Sequence, residues 1–259
     1  MPNAIHIVPP VFDAVAAYGI GGLAVVVAAA FVALVTRGQP RARLLLAVAT
    51  AVVMGTSAVA GASGALARFD AFPPPMALMI LGVFVMGFGL GLSGIGRHAA
   101  DTLPLAALVG LQGFRLPLEL VMHRAATLGI MPGQLSYSAY NLDILTGLGA
   151  CVLAVAMRAG VRVPMWALWV WNVWGSWCLA VIAVIAVTTS PVVRLFGDDP
   201  RNLNTWVLFF PYMWLPVVLV TVAIAGHVMV TRALRARASA GVGSRRGPSH
   251  GTPPAHGAR

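Results

Sequence analysis

Most of the chain consists of long apolar runs without charged residues. No Asp, Glu, Lys or Arg occurs in residues 14–36, 44–67, 71–96, 163–193 and 202–231. Each run is long enough for the roughly 20 residues that cross the hydrocarbon core of a bilayer as an α-helix. Two further apolar segments, about 103–125 and 142–160, carry a few ionisable residues. The pattern predicts seven transmembrane helices, since a segment in lipid must satisfy its backbone hydrogen bonds internally.

Composition supports the same fold class. The chain has 259 residues, of which 59% are hydrophobic and 9% are charged. Soluble domains are roughly 45–50% apolar and roughly 25% charged, so too little charge is present to cover a solvated surface. We therefore expect an all-α, polytopic membrane protein with a seven-helix transmembrane domain over residues 1–237. Residues 238–259 are rich in Gly, Pro, Ser and Arg, which predicts a disordered basic tail.

The arginines predict an orientation. With the amino terminus outside, the four arginines on the outer side are Arg68, Arg124, Arg194 and Arg201. The inner side receives the twelve arginines at positions 37, 41, 43, 97, 158, 162, 232, 235, 237, 245, 246 and 259. Because basic residues concentrate in cytoplasmic loops, the amino terminus is predicted outside and the carboxyl terminus, with its tail, inside. The net charge of +10 is accordingly interpreted as a topology signal and not as a nucleic-acid surface.

Residue supply excludes several kinds of chemistry. The chain contains no Lys, so it offers no amine for a retinal or pyridoxal Schiff base and no Walker A lysine. Only His123 and His227 lie in predicted helices, too few for an intramembrane zinc site, and their predicted leaflets differ. No Gly-x-Ser-x-Gly elbow is present. We therefore predict no cofactor and no metal ion.

The fourth predicted helix carries a polar stripe. At 100° per residue, Gln112, Arg115, Glu119 and His123 fall within a sector about 80° wide. An ionisable residue inside a membrane costs at least about 2.5–3.5 kcal/mol on insertion scales, so the stripe is expected to face the bundle interior or a wet cavity.

Two interpretations of this stripe remain open. Arg115 and Glu119, the only Glu of the chain, are four residues apart and suitably spaced to pair. The pair can neutralise itself and hold helices together, or it can line a ligand or proton site together with His123.

The start of the fifth predicted helix brings further polar residues to the same level. Asn141 or Ser138 can cap this helix, and Asp143 in its first turn is favoured by the helix dipole. Capping alone accounts for these residues. In the predicted topology they also lie at the level of His123, where Asp143 and Glu119 are expected to share the Arg115 guanidinium.

Helices six and seven add three more candidates. Asn172 lies among tryptophans of helix six, either as a contact between helices or as part of a site. Pro211 and Pro216 are expected to kink helix seven, which would place Tyr212 and Trp214 in its outer half at the depth of Glu119. A kink, aromatic rings and a charged stripe at one level predict an outward-facing cavity.

Three sequence runs, Phe114–His123, Tyr140–Leu148 and Phe209–Leu219, contain the motifs FRLPxEL, NxDILxGL and FPxxWLP. These runs resemble those of a widespread family of uncharacterised small bacterial inner-membrane proteins. The resemblance covers roughly residues 110–230. It implies seven transmembrane helices in a bacterial plasma membrane and assigns no catalytic residue. The abundance of Ala, Gly, Val and Arg without Lys further suggests a high-GC bacterium.

Three function hypotheses follow. In the first, an outward-facing intramembrane cavity binds or transports a small ligand, anionic or proton-coupled, at Arg115. In the second, the protein is a membrane enzyme that acts on a lipid-borne substrate with His123 as the general base, oriented by Asp143 or Glu119. In the third, it is a structural or partner-binding subunit in which the stripe joins helices. The expected partners are the lipid bilayer, an unidentified small ligand, and a second copy or another membrane protein.

Overall fold

In the computed structural model, residues 7–245 are described, with side chains up to residue 240. They form no strand. The helices are α1 (Ala14–Val35), α2 (Pro40–Ala62), α3 (Pro75–Leu92), α4 (Gly94–Thr102), α5 (Leu105–Leu111), α6 (Arg115–Thr127), α7 (Asp143–Arg158), α8 (Met165–Thr188) and α9 (Thr221–Arg245). The prediction of an all-α chain is confirmed for this part of the protein.

Six segments are long and apolar enough to cross a membrane. They are Ala14–Val35, Pro40–Ala62, Pro75–Leu92, Leu105–Thr127, Met165–Thr188 and Leu215–Ala240. The remaining predicted span corresponds to α7, which has 16 residues. At 1.5 Å per residue it reaches about 24 Å, less than the roughly 30 Å of a bilayer core. The structure therefore supports a multi-pass membrane protein, and the number seven stays a prediction.

Helix α9 occupies the centre of the bundle and packs against α3, α4, α5 and α8. Its crossing with α3 is close because α3 presents Gly87 and Gly91 there. A Cβ atom added to Gly87 would lie 2.8 Å from Ile224, and one added to Gly91 would lie 2.6 Å from Val228. Close approach of this kind permits the packing that joins helices in lipid. Helix α2, in contrast, has few buried residues and lies at the periphery.

Polar contacts join the helix ends at both ends of the bundle. At the start of α1, Arg124 of α6 donates to Asp13 at 2.8 Å. At the opposite end of α1, the carbonyl of Arg37 contacts the ring of His98 at 3.0 Å. Arg232 of α9 donates to a carbonyl at the end of α3 at 2.8 Å. The helix ends that these contacts bring together are ends that the predicted topology places on the same side of the membrane. Which side is outside stays a prediction.

The fourth span is interrupted just before its polar centre. A 3₁₀ turn, Gln112–Phe114, separates α5 from α6, and α6 begins at Arg115. Proline has no N–H, so Pro117 cannot donate to the carbonyl of Gly113, and the regular α-helical ladder fails at this point. The break alters the direction of Gln112 relative to the rest of the stripe.

The last membrane-length segment differs from the kinked helix predicted for it. Pro211 lies before the helix begins, and Pro216 lies within the π-helical turn Leu215–Val220 that precedes α9. The π turn accommodates the missing proline donor by shifting the hydrogen-bond pattern.

The last helix continues beyond residue 237. Helix α9 ends at Arg245, because the alanine-rich stretch that includes Ala236, Ala238 and Ala240 favours helix. The boundary predicted at residue 238 therefore falls within α9. Residues 246–259, the remainder of the predicted disordered tail, lie outside the described residues.

Candidate functional site

A buried ion pair lies at the centre of the polar cluster. Arg115, the first residue of α6, donates from Nε to Oδ2 of Asp143, the first residue of α7, at 2.6 Å. The two side chains are 1% and 4% exposed. Removing one partner of a buried pair typically costs about 3–5 kcal/mol, because the other charge is left without compensation. The position of Asp143 in the first turn of α7 is further favoured by the helix dipole.

A glycine allows the two helices to meet. Gly147 lies one turn after Asp143, and a Cβ atom added there would clash with the backbone nitrogen of Leu116 and lie 2.9 Å from the carbonyl carbon of Arg115. The first turn of α6 therefore rests directly on the backbone of α7. This contact brings Arg115 within hydrogen-bonding distance of Asp143.

Arg115 also contacts a histidine that the sequence interpretation had placed elsewhere. Its Nη1 lies 2.8 Å from Nε2 of His227 in α9. Since arginine can only donate, Nε2 accepts, and Nδ1 carries the hydrogen that it donates to Oδ1 of Asn172 at 2.9 Å. His227 is therefore a neutral imidazole in this arrangement. Gly175 of α8 makes space for the ring, since a Cβ there would lie 2.6 Å from Nε2.

The hydrogen bonds continue towards the far end of α9. Asn172 donates from Nδ2 to the hydroxyl of Thr231 at 2.8 Å, and that hydroxyl donates to the carbonyl of His227 at 2.9 Å. Asn172 therefore joins α8 to α9, as expected of a polar contact between helices. The chain of contacts from Asp143 through Arg115 and His227 connects four helices.

Glu119 is separate from this ion pair. It is 1% exposed, and its two carboxylate oxygens accept from Nδ2 of Asn141 at 2.9 and 3.0 Å. In the described part of the chain no ion pair joins Glu119 to a cation. The predicted pairing of Arg115 with Glu119, and the sharing of one guanidinium by two carboxylates, are therefore wrong. The guanidinium instead turns towards α7 and α9, where Asp143 accepts from Nε and His227 accepts from Nη1.

Asn141 links the two halves of the cluster. Besides Glu119, its Nδ2 group reaches the carbonyl of Leu135 at 2.9 Å. Its Oδ1 accepts from the backbone N–H of Asp143 at 3.0 Å, close to the capping role predicted for it. The loop before α7 therefore holds Glu119 and Asp143 in a fixed relation.

A small cavity borders the three charged side chains. It measures about 30 Å³ and is lined by Arg115, Glu119 and Asp143 together with apolar residues of α6, α8 and the turn before α9. Within the described residues, Nη2 of Arg115 and Oδ1 of Asp143 have no hydrogen-bond partner. The cavity has room for about one or two water molecules and for no larger ligand.

Two further stripe residues lie outside the cluster. His123 is half-buried, bonds through Nδ1 to the hydroxyl of Ser136 at 2.9 Å, and stacks on Tyr137 with ring centroids 4.5 Å apart. It makes no hydrogen bond to a carboxylate within the described part of the chain, so the predicted orientation of His123 by Glu119 or Asp143 is wrong. Gln112 is fully buried beside Gly226, and neither of its side-chain polar atoms has a described partner.

The two aromatic candidates also lie away from the cavity. Trp214 donates to the carbonyl of Met54 in α2 at 3.1 Å. Tyr212 packs on Trp206, with ring centroids 5.1 Å apart. Neither Tyr212 nor Trp214 lines the cavity beside Arg115. The expectation that both would share its level rested on a helix kinked at two prolines, and the observed segment follows a different path before α9.

His227 is the cluster residue that sequence reasoning missed. The predicted topology places His227 in the leaflet opposite to His123, and therefore outside the predicted site. Arg115 lies eight residues before His123, which is about 12 Å along a helix at 1.5 Å per residue. The long arginine side chain at mid-depth therefore reaches α9. The signal in the sequence was His227 itself, an isolated polar residue in the last span at the depth that the Arg115 side chain reaches.

Outside the membrane-spanning segments, surface ion pairs lower the pKa of several carboxyl groups, among them those of Asp13 and Asp199. The hydrogen bond from Arg124 and the backbone N–H of Ala16 lower the pKa of Asp13 to about 2. The neighbouring Arg201 likewise lowers the pKa of Asp199 to about 2. Both pairs fix helix or loop ends and lie apart from the buried cluster. In the described part of the chain, no group of three or more His, Cys, Asp or Glu is arranged to hold a metal ion.

The apolar spans and the buried polar cluster define a multi-pass, all-α membrane protein. A family model described as a domain of unknown function (DUF8737) matches residues 73–235, which is more than half of the chain, so the protein belongs to this family. The match includes all residues of the buried cluster. It also includes α3, which lies outside the roughly 110–230 range of the resemblance described in the sequence analysis. No curated protein and no solved structure matches the chain.

Proposed function

We propose that this membrane protein binds and releases a proton at Glu119, within a small hydrated site in the bilayer interior. The observation that supports the proposal is the presence of a second buried carboxylate beside an ion pair that is already balanced. Arg115 is permanently charged and Asp143 compensates it. An ionised Glu119 would add an unbalanced negative charge in surroundings where an unpaired ion costs several kcal/mol.

The surroundings of Glu119 leave few other ways to balance that charge. Arg115 and Asp143 line the same cavity as Glu119, Cys178 of α8 lies near it, and His227 of α9 contacts Arg115. His123 lies one turn further along α6 and bonds to Ser136. His227 accepts the hydrogen bond of Arg115, so a proton on Nε2 would break that contact. Neutralisation of Glu119 by its own proton disturbs the network least.

The small cavity supports exchange of that proton with water. One or two water molecules beside Glu119 can bridge the unpaired donor of Arg115 and the unpaired acceptor of Asp143. His123 and Ser136 lie one turn further along, towards the end of α6 that carries Arg124. We propose that protons enter from that end, which the predicted topology places outside.

The proposal includes the predicted topology. Seven spans, an outside amino terminus and a bacterial plasma membrane agree with the twelve-to-four distribution of arginines. The short α7 would complete the seventh span and carry Asp143 at its outer end. In this proposal the ligand is the proton itself, since the cavity beside Glu119 is too small for an organic anion.

Infrared spectroscopy of the purified protein in lipid vesicles tests the proposal. A pH titration should show the carbonyl stretch of a protonated carboxylic acid that appears and disappears reversibly. Glu119→Gln should remove this band. Asp101→Asn, which changes an exposed carboxylate of α4, should retain it. A band of wild-type intensity in Glu119→Gln would refute the proposal.

A structural role is the second candidate, favoured by the hydrogen bonds that join four helices through Arg115. As a structural or partner-binding subunit, the protein would need the network only for packing. Glu119→Gln would then change stability, and no carboxyl band would titrate in the wild type. The enzyme hypothesis has less support, because His123 bonds to Ser136 and has no carboxylate to orient it.

A further inference from the structure

An apolar cleft lies between α3 and α8. It measures about 90 Å³. Met79 and Val83 of α3 line one wall and Ile182 and Ala183 of α8 line the other. Helix α3 packs mainly on α9, and α8 packs on α7 and α9, so the two walls are held apart. Val187 at the rim is 46% exposed, which shows that the cleft reaches the lipid-facing surface.

One end of this cleft is polar. Asn204 and Trp206, in the segment between α8 and the π turn, line the cleft and are 3% and 1% exposed. In the described part of the chain, Oδ1 of Asn204 and Nε1 of Trp206 have no hydrogen-bond partner. The backbone of Asn204 is fixed by its hydrogen bond to the carbonyl of Thr189 at 2.8 Å. The cleft therefore ends at a buried acceptor, Oδ1 of Asn204, and a buried donor, Nε1 of Trp206, each without a described hydrogen-bond partner.

These two atoms select a chemical group. Satisfying both atoms takes a group that donates to Oδ1 and accepts from Nε1, which admits a hydroxyl or a protonated carboxylic acid and excludes a carbonyl, an ether and an ammonium. Of the two, the hydroxyl is the smaller group and the less costly to bring into an apolar cleft. The remaining walls are apolar, and no Arg or Lys lines the cleft, so a phosphate headgroup finds no counter-charge. We propose that the α3–α8 cleft binds a lipid alcohol, with its apolar chain between the two helices and its hydroxyl on Asn204 and Trp206.

The cleft adjoins the proton site but has its own chemistry. Both cavities share the side chains of Met122, Leu179, Ile182, Leu215 and Val220. A chain in the cleft would therefore press on one wall of the water-sized cavity. The binding inference does not depend on protonation of Glu119.

Photolabelling in phosphatidylcholine vesicles tests the inference. The probe is a long-chain primary alcohol with a diazirine near its hydroxyl end, compared with the matched methyl ether, which cannot donate. The alcohol should label peptides from α3, α8 and residues 200–210 at least about fivefold more than the ether does, the loss expected from roughly one hydrogen bond.

Four variants locate the labelling. Trp206→Phe removes the donor and Asn204→Leu removes the acceptor, and each should reduce labelling by the alcohol about fivefold. Ala183→Trp should fill the cleft and abolish labelling. Ala180→Trp, one turn away on an exposed part of α8, should leave labelling unchanged.

The readouts separate the possible outcomes. Equal labelling by alcohol and ether, unaffected by both Trp206→Phe and Asn204→Leu, would mean unselective lipid contact or water at the polar end, and would overturn the inference. Labelling that persists in Ala183→Trp would exclude the cleft as the site. Each variant is first checked for a wild-type melting transition, and either polar variant suffices if the other fails to fold. The infrared band of Glu119 is measured independently, so failure of one proposal leaves the other open to its own test.

Discussion

Asp143→Asn tests the charge arrangement of the buried cluster most directly. The substitution preserves shape but removes the charge 2.6 Å from Nε of Arg115, where both side chains are almost completely buried. Breaking such a pair costs about 3–5 kcal/mol. We expect a loss near 3 kcal/mol, the lower end of that range, because Glu119 remains nearby and can lose its proton to balance Arg115.

Glu119 should therefore behave as a reserve carboxylate. Glu119→Gln alone keeps the Arg115–Asp143 pair and should cost about 1 kcal/mol, the usual value of a hydrogen-bond change. The double variant leaves Arg115 with no carboxylate and should lose about 5 kcal/mol or more, beyond the sum of the single losses.

Thermal unfolding in detergent, followed with a thiol-reactive dye, provides the assay. Cys178 is buried and becomes reactive when the bundle opens, and the half-buried Cys151 is replaced by Ala in every protein compared. Asp101→Asn is the control and should stay within about 0.5 kcal/mol of wild type. The reasoning is refuted if Glu119→Gln destabilises the protein as much as Asp143→Asn does, or if the double variant is no less stable than Asp143→Asn.

Three further predictions address packing, pH and topology. Gly147→Ala should cost about 1–3 kcal/mol, because its methyl group would push α7 away from the backbone of α6, and the same melting assay should detect the loss. The pKa of Asp13 is lowered from 3.8 to about 2, so its stabilising effect is fully present above pH 3.8 and is lost as the pH falls through about 2. The melting temperatures of wild type and Asp13→Asn should accordingly converge at the acidic end, and a constant difference would contradict this. In intact cells, a membrane-impermeant maleimide should label Asp198→Cys and not Arg162→Cys, whereas the reverse pattern would invert the predicted orientation.

The side of the helix that is buried could be predicted, because it depends only on the spacing of polar and apolar residues within that one helix. A period of 3.6 residues places Arg115 and Glu119 on one side, and the cost of charge in lipid turns that side inward. Both residues are 1% exposed. Their use as a proton site stays a prediction that the infrared experiment addresses.

The choice of partners could not be predicted in the same way. Spacing of four residues allows Arg115 and Glu119 to pair, but the guanidinium has five donors, and the neighbouring helices decide where they go. The contact at Gly147 and the depth of His227 depend on how α7 and α9 cross α6. No pattern within one helix carries that information.

The turn before α9 illustrates a second limit. Prolines at positions 211 and 216 indicate a disturbed backbone, but not the form of the disturbance. The observed π turn redistributes the hydrogen bonds over Leu215–Val220 and leaves Tyr212 and Trp214 directed at other neighbours. A helix kinked at both prolines, as predicted, would have placed the two rings at the depth of Glu119.

The shortness of α7 has a consequence for the lipid around the protein. In the predicted seven-span topology, the 16 residues of α7 would be matched by a hydrocarbon layer about 6 Å thinner than average. The two headgroup layers would then approach each other on the side of the bundle where α7 lies. Water and lipid phosphates would be drawn towards the Asp143 end of the helix, so the thickness of the membrane would set how deeply the charged residues are immersed.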